Sequence, residues 1–128
     1  MRSYDVAIAS LAIDAPAKWT DNLLSQHSLP EVVSARRGVA RRISYSALVR
    51  LALIRQLHTR LGLGVGDAVR LSGELLDSGG SSVHLSGHLL LTFDRSGLER
   101  SLDIRLSEVL ESAPAPSRGR PTTRLPRT

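Results

Sequence analysis

Four of the seven residues from 36 to 42 are arginine, and a small fold cannot bury that many guanidinium groups side by side. The run is bounded by Val32-Val33 and Ile43, β-branched residues suited to strands, and Gly38 supplies the positive φ of a tight reversal. Together these residues predict a β-hairpin turning at Arg37-Gly38, a solvent-facing ribbon ringed by Arg36, Arg37, Arg41 and Arg42. Their mutual repulsion favours an anion. The plainer alternative is a hairpin edge that charge protects from pairing.

Before the ribbon the spacing is helical. Val6–Ile13 is small and aliphatic at nearly every position, and Asp14-Ala15-Pro16 reads as a helix start, with Asp14 as polar cap and the proline in the first turn. A second helix is expected from about 16 to 26, with Trp19, Leu23 and Leu24 on its buried face and Lys18, Asp21, Asn22 and Ser25 pointing elsewhere. Two short helices joined by a turn of about three residues form a helix-turn-helix. Ala9, Ser10 and Ala12 are small enough to let them cross closely.

After the ribbon, Ser44 or Ser46 can cap a helix at about 46–61 whose stripe is Ala47, Leu51, Ile54, His58 and Leu61, flanked by Leu48 and Leu57. Gly62-Leu63-Gly64-Val65-Gly66 ends it. Asp67 then sits in the first turn of a fourth helix with Val65, Ala68, Val69, Leu75 and Leu76 on its apolar face. Asp77–Ser82 reads as a loop, and Val83–Leu85 and Leu89–Phe93 as strands around Ser86-Gly87. Ser96-Gly97-Leu98-Glu99 has capping-box spacing and opens a last helix, to 112, with Leu98, Leu102, Leu106 and Val109 on one face. Since Leu89, Leu91 and Phe93 alternate with Leu90 and Thr92, that strand is apolar on both sides and the last helix can cover only one. The segment either folds back on the preceding helices or buries its second face against another copy or another protein.

The chain of 128 residues carries 17 basic and 12 acidic side chains, and the net charge of +5 is unevenly spread. Residues 1–35 sum to −2, 36–70 to +7, 71–112 to −4 and 113–128 to +4. A polyanion meeting two separate parts of the surface would explain that asymmetry. Aliphatic residues must supply the core, because there are only one Phe, one Trp and two Tyr. Having no cysteine rules out a disulfide framework, a zinc finger, a thiol nucleophile and an iron–sulfur site. Asp5 interrupts the start where a signal peptide needs apolar residues, and no apolar run approaches the ~18 residues of a membrane span. A soluble, cytoplasmic protein with no membrane association is expected.

The stretch Gly38-Val39-Ala40-Arg41-Arg42-Ile43-Ser44-Tyr45-Ser46-Ala47-Leu48 resembles the MerR-type transcription regulators: their wing glycine, the arginine after it, and the Tyr-Ser leading into their third helix. Leu51-Ala52-Leu53-Ile54-Arg55-Gln56-Leu57 and Leu61-Gly62-Leu63-Gly64-Val65 also follow that family, over roughly residues 4–76. The resemblance implies a winged helix-turn-helix that binds DNA. Three family features are missing: the arginine beside an aromatic pair on the second helix, replaced by Lys18-Trp19-Thr20-Asp21-Asn22; the long coiled-coil dimerisation helix; and the metal-sensing cysteines of some members.

The expected fold is thus mainly α: a winged helix-turn-helix of two short helices, an Arg-rich β-hairpin wing and two further helices over 1–76. A strand and helix extension for dimer or partner contact over 77–112 and a disordered basic tail over 113–128 complete it. A helix in the major groove can offer Lys18, Thr20, Asn22 and Ser25 to base edges, while Arg36, Arg37, Arg41 and Arg42 hold a flanking backbone or enter a minor groove. Four to six phosphate contacts imply a slope of log K against log salt of about −4 to −5. In the tail, Arg118-Gly119-Arg120-Pro121 resembles an AT-hook core, whose arginines lie along a narrow minor groove. Enzymatic chemistry is not expected: His84 and His88 flank a Ser-Gly turn, His27 and His58 read as edge and packing residues, and the glycine-rich 62–66 run lacks a phosphate-loop lysine. No cofactor or metal is expected. Double-stranded DNA and a second copy of the chain are the expected partners. An antitoxin-type interaction protein, gripping a partner such as a toxin through 77–112, is the alternative; RNA binding is disfavoured by the scarcity of aromatic residues.

Overall fold

The computed structural model describes residues 2–33, 40–77 and 82–112. Arg36, Arg37, the turn at Gly38, and the tail with Arg118 and Arg120 lie outside the described residues. The order of elements is β1 (Ser3–Tyr4), α1 (Val6–Ala12), α2 (Ala17–Gln26), β2 (Val32–Val33), β3 (Arg42–Ser44), α3 (Tyr45–Leu61), α4 (Val65–Asp77), β4 (Ser82–His84), β5 (Leu90–Thr92) and α5 (Arg95–Ser112). The described chain is mainly helical. No helix in it is long and apolar enough to cross a membrane.

Three short strands form an antiparallel sheet in the order β1-β3-β2. Ser3 faces Ser44 and Tyr4 faces Ile43 on one side of β3, while Val32 faces Ile43 and Val33 faces Arg42 on the other. β1 escapes a reading of the sequence because two residues cannot show a period of two. The sheet delivers the chain directly into α3, where the Ser44 hydroxyl caps by accepting from the Ala47 amide at 3.2 Å.

The first turn of each helix shows which polar side chain won the backbone. At α1 it is Asp5, whose carboxylate accepts from the Ile8 amide at 2.8 Å. Asp14, expected to cap α2, does not: it adopts the left-handed region (φ 58°) as the pivot between α1 and α2, and Pro16 stands at the N-cap without a side-chain bond. Asp tolerates that conformation better than most residues, so the pivot takes precedence over the cap. The capping box expected at Ser96–Glu99 is likewise replaced. α5 begins at Arg95, Asp94 accepts from the Gly97 amide at 3.0 Å, and Glu99 instead meets Arg95 at 3.1 Å. Gly62 closes α3 in the left-handed region (φ 70°).

α3 is the central helix. Ala47, Leu48, Val49, Leu51, Ala52, Leu53, Ile54 and Leu57 are all buried, a wider arc than a single stripe, because α4 and α5 both pack on it. Leu61, expected in the stripe, is exposed at the last turn. α4 buries Ala68, Leu71, Ser72 and Leu75, while the expected Val65, Val69 and Leu76 pack at the margin. On α2 the fully enclosed residues are Thr20 and Leu23, and Trp19 is half-buried at the edge.

The C-terminal segment folds back. α5 lies against α1 and α3 and buries Leu102 and Leu106 in the same core as Leu48, Leu51 and Ile54. Arg105 donates to the Ala12 and Leu11 carbonyls at the end of α1 (3.0 and 3.1 Å), and the Tyr45 hydroxyl donates to Asp103 at 2.7 Å. Burial and then that bond to Asp103 push the Tyr45 phenol well above its ordinary pKa, so it remains a donor. β4 and β5 pair antiparallel, with Val83 opposite Leu91 and both half-buried toward the helices.

Candidate nucleic-acid interface

Lys18, Asp21, Asn22 and Ser25 follow one another on α2 at spacings of three, one and three and are all exposed, so they form one polar stripe along the helix. The opposite face, Thr20, Leu23 and Leu24, holds α2 on the core. Thr20, expected to reach a base edge, is wholly buried, and its hydroxyl accepts from the Ser10 hydroxyl of α1 at 2.8 Å. It is a fastener between the two helices and cannot touch an external ligand. The small residues of α1 make this possible: Ala9, Ser10 and Ala12 are buried and leave the crossing tight enough for the two hydroxyls to meet.

Arg41, just before β3, reaches that stripe. Its Nη1 lies 2.6 Å from an Asp21 carboxylate oxygen, and only 16% of its side chain remains exposed, against 59% for Asp21. The base of the arginine-rich segment and the exposed face of α2 are therefore neighbours, and an acid stands between them. Arg42 is also committed: Nε and Nη2 donate to the Ser3 hydroxyl at 3.2 and 3.1 Å, and Nη2 to the Ser3 carbonyl at 2.9 Å, tying β3 to β1. The expected ring of arginines facing only water is thus corrected at both described positions. Dense positive charge finds fold-internal acceptors where they are within reach.

The same holds for much of the central basic block. Arg50 forms two bonds with the Asp77 carboxylate at the end of α4 (2.7 and 3.3 Å), and Arg70 lies between Asp67 and Glu74 on its own helix. The Arg50 bond holds the Asp77 carboxyl below its ordinary pKa. Arg55, which the charge pattern does not single out, lies 4.8 Å over the Trp19 ring and donates to the Asp14 carbonyl at 3.3 Å. His58 stacks on Trp19, its ring centroid 5.9 Å away, and its Nδ1 is 2.8 Å from the Leu63 carbonyl. Trp19 is thereby clamped from α3, which sets the angle at which α2 presents its stripe. Helical spacing puts Trp19 on the buried face of its helix and does not show these partners; the ring is only half-buried.

An open groove of about 500 Å³ runs beside the stripe, lined by Ser25, Gln26, His27, Ser28, Val32 and Arg41 among others. Among the described residues its rim is mostly hydrogen-bonding groups, with the Arg41 guanidinium at the edge. Gln26 and Ser28, which the sequence does not single out, are exposed on this surface. Arg36, Arg37, Arg118 and Arg120 lie outside the described residues.

No protein-family model matches the chain, and a search of curated proteins finds no match.

Proposed function

We propose that this chain is a DNA-binding transcription regulator of winged helix-turn-helix type, with α1 and α2 as the helix pair, α2 as the groove-entering helix and the β2–β3 hairpin as the wing. The contact between Arg41 and Asp21 carries the reading, since it joins the foot of the hairpin to the stripe of Lys18, Asn22 and Ser25 in one surface. A strand before the helix pair, completing a sheet in the order β1-β3-β2, supports the same arrangement. On this reading Asn22 suits a bidentate contact with adenine and Lys18 a guanine edge or a phosphate, while the arginines add affinity that does not depend on sequence. Arg41 would exchange a carboxylate for a phosphate. No catalytic step and no cofactor belong to this reading.

The test is binding of a labelled duplex, followed by anisotropy at about 50 and 200 mM salt, for the wild type, Lys18→Ala/Asn22→Ala and Arg36→Ala/Arg37→Ala/Arg41→Ala/Arg42→Ala. Affinity should fall steeply with salt in the wild type. The arginine variant should lose binding to every duplex and flatten the salt slope, whereas the α2 variant should weaken preference among sequences more than overall affinity. Binding that ignores salt and survives both sets of substitutions would end the reading.

A further inference from the structure

β5 has one strand neighbour, β4, and its other edge is open among the described residues. The pairing of Val83 with Leu91 turns both side chains toward the helices, where they pack on the core together with Phe93. Alternation then places His84 and Leu90, which face each other across the hairpin, on the outer surface. Leu85, Leu89 and Leu90 are 44%, 59% and 56% exposed, three of the seven large apolar side chains so exposed among the described residues, within six positions. Residues 78–93 contain no Lys, Arg, Asp or Glu, the longest such stretch in the chain. Proteins ordinarily guard an open edge with charge, proline or a covering element. Between 82 and 93 there is neither a charge nor a proline, and no strand among the described residues pairs with the outer edge of β5.

We propose that the β5 edges of two copies pair antiparallel about a two-fold axis. The pairing forms a four-stranded sheet in the order β4-β5-β5-β4, with the outward Leu90 side chains of both copies on one face and the exposed Leu89, just before β5, at the end of the seam. A strand edge meets its own copy only if its sequence is compatible with itself reversed, so any charge on it would risk meeting its like. The stretch from 82 to 93 meets that condition. The chain as a whole carries +5, so two copies repel wherever charged surfaces face each other, and a neutral edge is where that repulsion is weakest. A foreign strand would find apolar area here but no charge to specify it, whereas a second copy supplies a strand of matching length and pattern. β4 lies against α4, and the proposal pairs the β5 edge alone, so it stops at two copies.

Sedimentation of the full chain from about 1 to 100 µM tests the proposal, with Leu90→Lys, Leu89→Lys and, as a control on another exposed apolar side chain, Ile104→Lys. The wild type should show a monomer–dimer equilibrium. Either leucine variant should raise the dimer dissociation constant at least tenfold while leaving the helical circular dichroism unchanged, and Ile104→Lys should leave the equilibrium where it was. A wild type that stays monomeric, including one whose edge takes a foreign strand, overturns the proposal. So does a dimer that survives both leucine variants, one lost equally in Ile104→Lys, or assembly beyond two copies. None of these outcomes depends on whether the chain binds DNA.

Discussion

Thr20 and Asp21 are adjacent in sequence and opposite in role, and each makes a prediction that a neighbour cannot mimic. The Ser10–Thr20 hydroxyl pair is sealed from water, so removing one partner leaves the other buried without a bond. Thr20→Val and Ser10→Ala should each destabilise the fold by about 1–3 kcal/mol in urea unfolding. The double substitution should cost clearly less than the sum, because no orphaned hydroxyl remains. Additive losses would show that the pair does not interact in solution. Asp21, by contrast, is 59% exposed and its pair with Arg41 is worth little to stability. If α2 enters a DNA groove as proposed, its larger effect is on that ligand, since a carboxylate beside a phosphate path repels it. Asp21→Asn should therefore tighten duplex binding, by about threefold to tenfold near 50 mM salt, with the gain fading as salt rises. Weaker binding in that variant would mean that Asp21 serves chiefly to hold Arg41 in place.

Among the elements, the helix ends separate local patterning from local competition. The sequence predicts a capping box at Ser96–Glu99; in the structure the cap is Asp94, two residues earlier, and Glu99 pairs with Arg95. Asp94→Ala should cost about 1 kcal/mol in thermal or urea unfolding, while Ser96→Ala should change little. The reverse order would restore the box. The end of α4 offers a test by acid. Asp77 has its pKa lowered by Arg50, so its contribution is complete above the unfolded value of 3.8 and is lost as pH falls through the lower folded value. Melting temperatures of the wild type and Asp77→Asn should thus differ at pH 5 to 7 and converge at acid pH below the carboxylate range. The difference will be small because Asp77 is mostly exposed and screened. Helix positions, to within a residue or two, were legible from apolar spacing and from Gly62; cap identity was not, since it depends on which of two nearby acceptors the tertiary fold leaves unoccupied.

At the scale of the whole molecule, the segment after residue 82 is part of the core. Leu102 and Leu106 are 3% and 5% exposed against α1 and α3. Leu106→Ala should cost about 2–5 kcal/mol, as expected for a large buried side chain cut back, and Ile104→Ala, on the open face, close to nothing. Because α5 and α2 share one core, Trp19 fluorescence and helical circular dichroism should report the same urea midpoint in the wild type and in Leu106→Ala. Separate midpoints would mean that α5 unfolds on its own. Sequence left open whether this segment folds back or seeks another surface. The structure divides the answer: α5 and the inner face of the hairpin fold back, and the β5 edge does not.

Periodicity and composition by themselves determined that the chain is mainly helical, that its core is aliphatic, and that Lys18, Asn22 and Ser25 are solvent-facing, because each is a matter of local spacing and of what can be buried. Only the tertiary structure decided that Thr20 is enclosed, that Arg41 and Arg42 already have partners, and that Arg55 and His58 clamp Trp19. Those outcomes turn on which groups distant in sequence come within hydrogen-bonding or stacking distance. A side chain's helical phase says which way it points, and the neighbour it finds there is set by the packing of another element.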